Sequence, residues 1–157
     1  ELRKGLSYFC GLAKKLPEDC KIILIGLNEK QIRELPEEII GITRTENAEE
    51  LAGYYSMADV FVNATLEDNF PTTNLEALSC GTPVITYETG GSPESLDEKC
   101  GRVVPKGEEA ALEHAIREEA ACPGTTEDCL QRAAYYKKQD RFMDYVKLYH
   151  RLTGQGE

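Results

Sequence analysis

Residues 58–87 constrain the fold more than any other part of this chain. Ala58-Asp59-Val60-Phe61-Val62-Asn63 is an apolar, β-branched run that ends on a polar residue, and a second β-rich run, Val84-Ile85-Thr86-Tyr87, follows the break Gly81-Thr82-Pro83. Between them lie a loop with two carboxylates, Glu67 and Asp68, and a short apolar helix opening near Thr73. The segment reads as strand, acidic loop, helix, strand, and it places Asp68 and Glu76 around one helix N-terminus.

The same alternation runs through the chain. Leu6, Phe9, Leu12, Ala13 and Leu16 recur at helical spacing, and Lys21-Ile22-Ile23-Leu24-Ile25-Gly26 reads as a buried strand. A short helix over 29–35, a strand over 39–43, and a helix capped by Asn47 with Glu50 at the capping-box position come next. Strands near 59–63 and 83–87 precede a helix opening at Ser92-Pro93 and a short strand at Arg102-Val103-Val104. The tail from 107 to 152 is mostly helical, broken at Cys122-Pro123-Gly124 and near Gln139. The expected fold class is α/β: one domain over 1–157, a Rossmann-like parallel β-sheet with helices on both faces and a helical C-terminal tail.

Ligands of open α/β sheets sit outside the carboxyl ends of the strands. The loops after Gly26, Thr43, Asn63 and Tyr87 should therefore line one cleft, which takes in Asp68, Glu76 and Gly90-Gly91. A helix N-terminus offers unpaired N–H groups and a positive dipole end to a phosphate. Carboxylates repel phosphate but accept hydroxyl donors. An acidic pair beside an amide-rich turn thus suits a ligand with both groups, such as a nucleotide sugar.

The run Asp68-Asn69-Phe70-Pro71-Thr72-Thr73-Asn74-Leu75-Glu76-Ala77-Leu78, followed by Cys80-Gly81-Thr82-Pro83-Val84-Ile85, resembles the Glu-x7-Glu region of family-four retaining glycosyltransferases, also called glycosyl transferases group 1, which have the GT-B fold. Thr89-Gly90-Gly91-Ser92-Pro93-Glu94 resembles their Gly-Gly-x-Pro-Glu loop, and Arg3-Lys4-Gly5-Leu6 their phosphate-side Lys-Gly at the start of the donor domain. The first acid is Asp68 or its neighbour Glu67. Asn69-Phe70-Pro71 stands where the family usually has Gly-Phe-Gly, which stiffens the loop and removes one N–H.

The resemblance implies roles. Glu76 would bind the donor's ribose hydroxyls, and Asp68 the sugar hydroxyls near the transferred carbon; these are the candidate catalytic residues. Lys4 would stabilise charge on the leaving diphosphate. Glu67, Asn69, Phe70, Pro71, Thr72, Thr73, Gly90 and Gly91 complete the candidate substrate-binding set. No metal and no cofactor beyond the nucleotide-sugar donor is expected. The chain would be the donor-binding, C-terminal half of an enzyme that moves a sugar to an acceptor hydroxyl with retention. Its partner would be its own N-terminal acceptor domain, which is absent here, and the fragment alone should catalyse little. An apolar stripe, Phe142, Tyr145, Leu148, Tyr149 and Leu152, could cross back to that domain or pack on its own sheet.

Plainer readings exist for each residue. Thr73-Asn74-Leu75-Glu76 matches a capping box, Gly90-Gly91 a turn needing positive φ, Lys4 a surface lysine and Asp68 a solvated acid. His114 and His150 read as structural, and the sequon Asn63-Ala64-Thr65 as chance. At the level of the whole chain, the alternatives are another GT-B nucleotide-sugar enzyme, such as an epimerase, or a noncatalytic α/β interaction module.

With 18 Lys and Arg against 28 Asp and Glu, the net charge of −10 argues against nucleic acid as a partner. Backbone amides and a local cation can still hold a diphosphate. The six cysteines show neither C-x-x-C nor zinc-like spacing, so reduced thiols are expected. No apolar run is long enough to span a bilayer and no signal segment is visible, so the expected location is cytoplasmic. The first residue, Glu1, suggests a fragment. Dinucleotide, P-loop, zincin and nucleophile-elbow signatures are all missing.

Overall fold

The computed structural model describes residues 4–17 and 19–154. Arg3, the first residue of the phosphate-side resemblance, lies outside them. The chain runs α1 (Leu6–Ala13), β1 (Ile22–Ile25), α2 (Glu29–Arg33), β2 (Ile39–Ile42), α3 (Ala48–Met57), β3 (Phe61–Asn63), α4 (Thr72–Ser79), β4 (Val84–Tyr87), a 3-10 turn (Pro93–Ser95), β5 (Gly101–Val104), α5 (Glu109–Ala121), α6 (Thr126–Tyr135) and α7 (Lys138–Thr153). The architecture is α/β and every recorded strand pair is parallel.

The expected single sheet is hydrogen-bonded as two sets, β1–β2 and β3–β4–β5. In the first, Ile22 pairs with Ile39 and Ile25 with Ile42; in the second, Asn63 pairs with Thr86 and Tyr87 with Val104. Sequence periodicity reports which side chains are buried, and burial alone does not say which backbones are paired. Ile22 nonetheless packs against the core shared by β4 and α5.

Strand β4 is the axis of the core, and all four of its residues are buried. Its side chains alternate between two layers, as a strand with both faces covered requires. Ile85 and Tyr87 meet Leu12 of α1 and Leu112, Ala115 and Ile116 of α5. Val84 meets Ala77 and Leu78 of α4 and Cys129 of α6.

Three local expectations change. Ser92-Pro93 opens only the 3-10 turn, because Leu96 returns to extended backbone (φ −110°, ψ 166°) and buries itself in the α4–α6 layer. The second break in the tail falls at Tyr136-Lys137, not near Gln139. Asn47 caps α3 by accepting from the Glu50 N–H at 2.8 Å, but the Glu50 carboxylate accepts from the Glu46 N–H and leaves the box half closed.

Helix α7 contains no buried residue, and Phe142, Tyr145, Leu148, Tyr149 and Leu152 are 43–73% exposed. Packing of this stripe on the chain's own sheet is therefore ruled out. Among the described residues no helix is long and apolar enough to cross a membrane.

Candidate functional site

The loops that leave the carboxyl ends of β3 and β4 lie against each other. Thr89 Oγ1 donates to the Leu66 carbonyl at 2.9 Å, and the Gly91 N–H donates to the Asn69 carbonyl at 2.7 Å. Gly90 has φ +49°, and a side chain there would collide with the Asp68 carbonyl oxygen. At Gly91 one would strike the Asn69 carbonyl oxygen and press on the Phe70 ring. Both glycines are thus required by the approach of one backbone to another, and Gly90 also by the turn.

A buried polar chain fixes the two loops to the helix between them. Asn63 Nδ2 donates to Asn74 Oδ1 and Asn74 Nδ2 to Ser95 Oγ, each at 2.9 Å; Ser95 Oγ then donates to the Ser92 carbonyl at 2.6 Å. Asn74 and Ser95 are fully buried. Each polar group in this chain has a partner, which is what makes its burial tolerable.

Helix α4 begins at Thr72 with Pro71 at the N-cap and no side-chain cap. The exposed Thr72 and Thr73 occupy its first turn, where amides have no intrahelical acceptor. The capping-box reading of Glu76 fails here, because Thr73 is inside the helix and not at its N-cap. Glu76 Oε2 instead accepts from the Tyr55 hydroxyl of α3 at 3.1 Å. Burial first, and then the Glu76 carboxylate, push the Tyr55 phenol well above its ordinary pKa, so it stays a protonated donor. Glu76 itself is exposed, with one oxygen oriented by Tyr55.

Asp68 closes an Asx turn, accepting from the Phe70 N–H at 3.1 Å, and Glu67, Asp68 and Asn69 are exposed. Lys4 is exposed at the start of α1. Its neighbour Gly5 (φ +75°) sits so close to Ala64 that a side chain would meet the Ala64 carbonyl oxygen, which sets the uncapped N-terminus of α1 beside the end of β3. The structure therefore brings Asp68, Asn69, Phe70, Gly90 and Gly91 into contact, and locates Lys4 just before α1 and Glu76 within α4, two helices that begin at that end of the strands.

Several residues at this site were not singled out from sequence. Asn63 reads from sequence as a strand end within a chance sequon and Asn74 as an interior position of the capping-box match; an asparagine within the otherwise apolar stretch around Leu75, Ala77 and Leu78 is the available signal. Tyr55 lies in the helix that Asn47 caps, and nothing in the sequence singles it out. Arg132 and Tyr136 lie in the helical tail, and nothing local marks them. Among the described residues no three of His, Cys, Asp or Glu are grouped to hold a metal ion. A concavity of about 510 Å³ lined by Asp97, Lys99, Asp128 and Arg132 includes none of the residues picked out from sequence. Its walls are charged and open, and the loop cluster is the better candidate on chemistry.

The profile of the family described as Glycosyl transferases group 1 matches residues 1–120. This chain belongs to the group 1 glycosyl transferases. Among curated relatives it is similar to a D-inositol 3-phosphate glycosyltransferase of Corynebacterium jeikeium, 37% identical over 78 residues, 46% of this chain and 19% of the relative. It is also similar to a GDP-mannose-dependent alpha-(1-6)-phosphatidylinositol monomannoside mannosyltransferase of Mycolicibacterium smegmatis, 37% identical over 94 residues, 55% of this chain and 25% of the relative. The chain thus spans about a fifth to a quarter of the length of these relatives. Among solved structures, sucrose-phosphate synthase of Thermosynechococcus elongatus superposes with a TM-score of 0.82 at 24% identity, over 99% of this chain and 44% of that one. The Anabaena protein HepE in complex with UDP gives 0.72 at 18% identity, over 94% and 46%, and was also solved with UDP-glucose. These likenesses show the fold of this group 1 chain to be that of GT-B glycosyltransferases.

Proposed function

We propose that this chain is the nucleotide-sugar-binding half of a retaining glycosyltransferase, which moves a sugar from a nucleoside diphosphate to an acceptor hydroxyl. The observation that carries the reading is the seating of Gly90-Gly91 on Asp68-Asn69-Phe70 beside the uncapped N-terminus of α4. HepE, with the same fold, binds UDP and UDP-glucose, and the mycobacterial relative is GDP-mannose-dependent, so both use nucleotide ligands of this class.

In this reading the free oxygen of Glu76 accepts from the ribose hydroxyls while Tyr55 orients the other. Asp68, or Glu67 beside it, accepts from hydroxyls of the donor sugar. Helix-terminal amides and Lys4 meet the diphosphate and stabilise the charge that develops as the sugar leaves, without calling on a metal. The acceptor half is a separate N-terminal domain, against which the exposed stripe of α7 docks. Until that half is present the cleft is open to water and catalysis is weak.

Thermal unfolding with millimolar UDP, GDP, ADP, UDP-glucose, GDP-mannose and ADP-glucose tests the reading, because a ligand that binds only the folded chain stabilises it by RT ln(1 + [L]/Kd). The expected result is a rise in Tm with one base, lost in Glu76→Ala and reduced in Asp68→Ala. A rise that survives Glu76→Ala would remove Glu76 from the site.

A further inference from the structure

We propose that Arg132 and Tyr136 at the end of α6 are positioning residues, which together with the neighbouring α4 hold the loop 90–95 in a ligand-ready shape; this rests on the donor-site reading above. Arg132 Nε donates to the Ser95 carbonyl at 3.1 Å, and its Nη2 donates to the Glu94 carbonyl and to the Tyr136 hydroxyl at 3.0 Å. The Tyr136 hydroxyl in turn donates to the Glu94 carbonyl. Two consecutive carbonyls of the loop are therefore gripped by one guanidinium fork and one phenol.

The same tyrosine reaches the other wall of the site. Its ring lies 5.6 Å from that of Phe70, tilted by 49°, while the Arg132 guanidinium sits 5.2 Å from the Tyr136 ring. One pair on α6 thus touches the loop after β4 through its carbonyls and the loop after β3 through Phe70. Asn74 of α4 holds the Ser95 hydroxyl of the same loop.

The physical role follows from what the loop contains. Gly90 and Gly91 give it large conformational freedom, and fixing a backbone of that kind costs conformational entropy. A loop ordered before the ligand arrives removes that cost from binding. Charge-assisted bonds to carbonyls, made by a preorganised planar fork, are suited to the task, and a lysine cannot reproduce them. The pair touches neither Glu76 nor Lys4 in any recorded contact, so its influence should fall on the sugar end of the ligand and spare the nucleotide end.

Calorimetric titration of the chain with UDP, GDP and ADP, and with UDP-glucose, GDP-mannose and ADP-glucose, provides one arm of the test. For the base that binds, Arg132→Ala should leave nucleotide Kd within about twofold while weakening the nucleotide sugar about tenfold. Tyr136→Phe, which keeps the ring on Phe70, should weaken it about threefold, and Arg132→Lys should restore only part of the loss. The second arm needs no ligand: amide hydrogen exchange at Gly91, Ser92 and Glu94 should speed up about tenfold in Arg132→Ala, with Ala77 and Leu78 unchanged. Unchanged loop exchange overturns the clamp, and equal weakening of nucleotide and nucleotide sugar overturns its sugar-side role. Faster loop exchange in a chain whose unsubstituted form binds no nucleotide sugar supports the clamp and overturns the donor-site reading alone.

Discussion

Gly90 is the position where a single methyl group does most harm. Its φ of +49° alone costs an L-residue about 1–2 kcal/mol, and the added carbon would have to displace the Asp68 backbone. Gly90→Ala should lower unfolding stability by at least about 2 kcal/mol in urea titration. Gly53→Ala, in the middle of α3 with open space around it, should raise stability by about 0.5–1 kcal/mol. The buried asparagine chain gives a second contrast. Asn74→Ala leaves Asn63 Nδ2 without its acceptor and takes from Ser95 Oγ the donor it accepts from, and should cost about 1–3 kcal/mol, whereas Ser92, whose buried hydroxyl has no partner among the described residues, should tolerate alanine without loss. Asp68, Glu76 and the two glycines could be picked out as candidates from sequence because they follow two successive strands and match the motifs of the family. Tyr55, Arg132 and Tyr136 could not, because each reaches the site only through a helix packed from elsewhere in the chain.

The layer between β4 and helices α4 and α6 holds two thiols, Cys100 and Cys129, both fully buried. Burial pushes the Cys100 thiol from 9.0 up to about 12, and the Cys129 thiol up to about 11. Both bind their protons more tightly folded than unfolded, so their contribution is complete below about pH 9 and falls as pH rises toward those values. The urea midpoint should therefore drop between pH 8 and pH 10, and Cys129→Ala should flatten that drop at a cost in stability at pH 8. The strands were legible to within two residues, since β-branched runs bounded by Gly and Pro leave little latitude. The turn at Pro93–Ser95 was not, because its length is set by where Leu96 finds the core and not by the cap signal in front of it.

Across the whole molecule, burial is distributed unevenly. Leu112 is fully buried between α5 and β4, and Leu112→Ala should cost about 2–5 kcal/mol in urea unfolding. Leu148, 43% exposed on α7, should accept serine within about 0.5 kcal/mol, although the stripe it belongs to is apolar. The class of fold was legible from alternation alone, but the division of the strands into two hydrogen-bonded sets was not. That division bears on how the chain comes apart. The segment from β1 to β2 has no recorded ladder bond to β3–β5, its helix α2 buries no side chain, and β1 is only half-buried. It should open as a separate cooperative unit at a free energy below that of global unfolding. A protease applied sparingly under native conditions should then nick first between 27 and 38, while α1, anchored in the core by Leu12, and the loops after β3 and β4 stay in place.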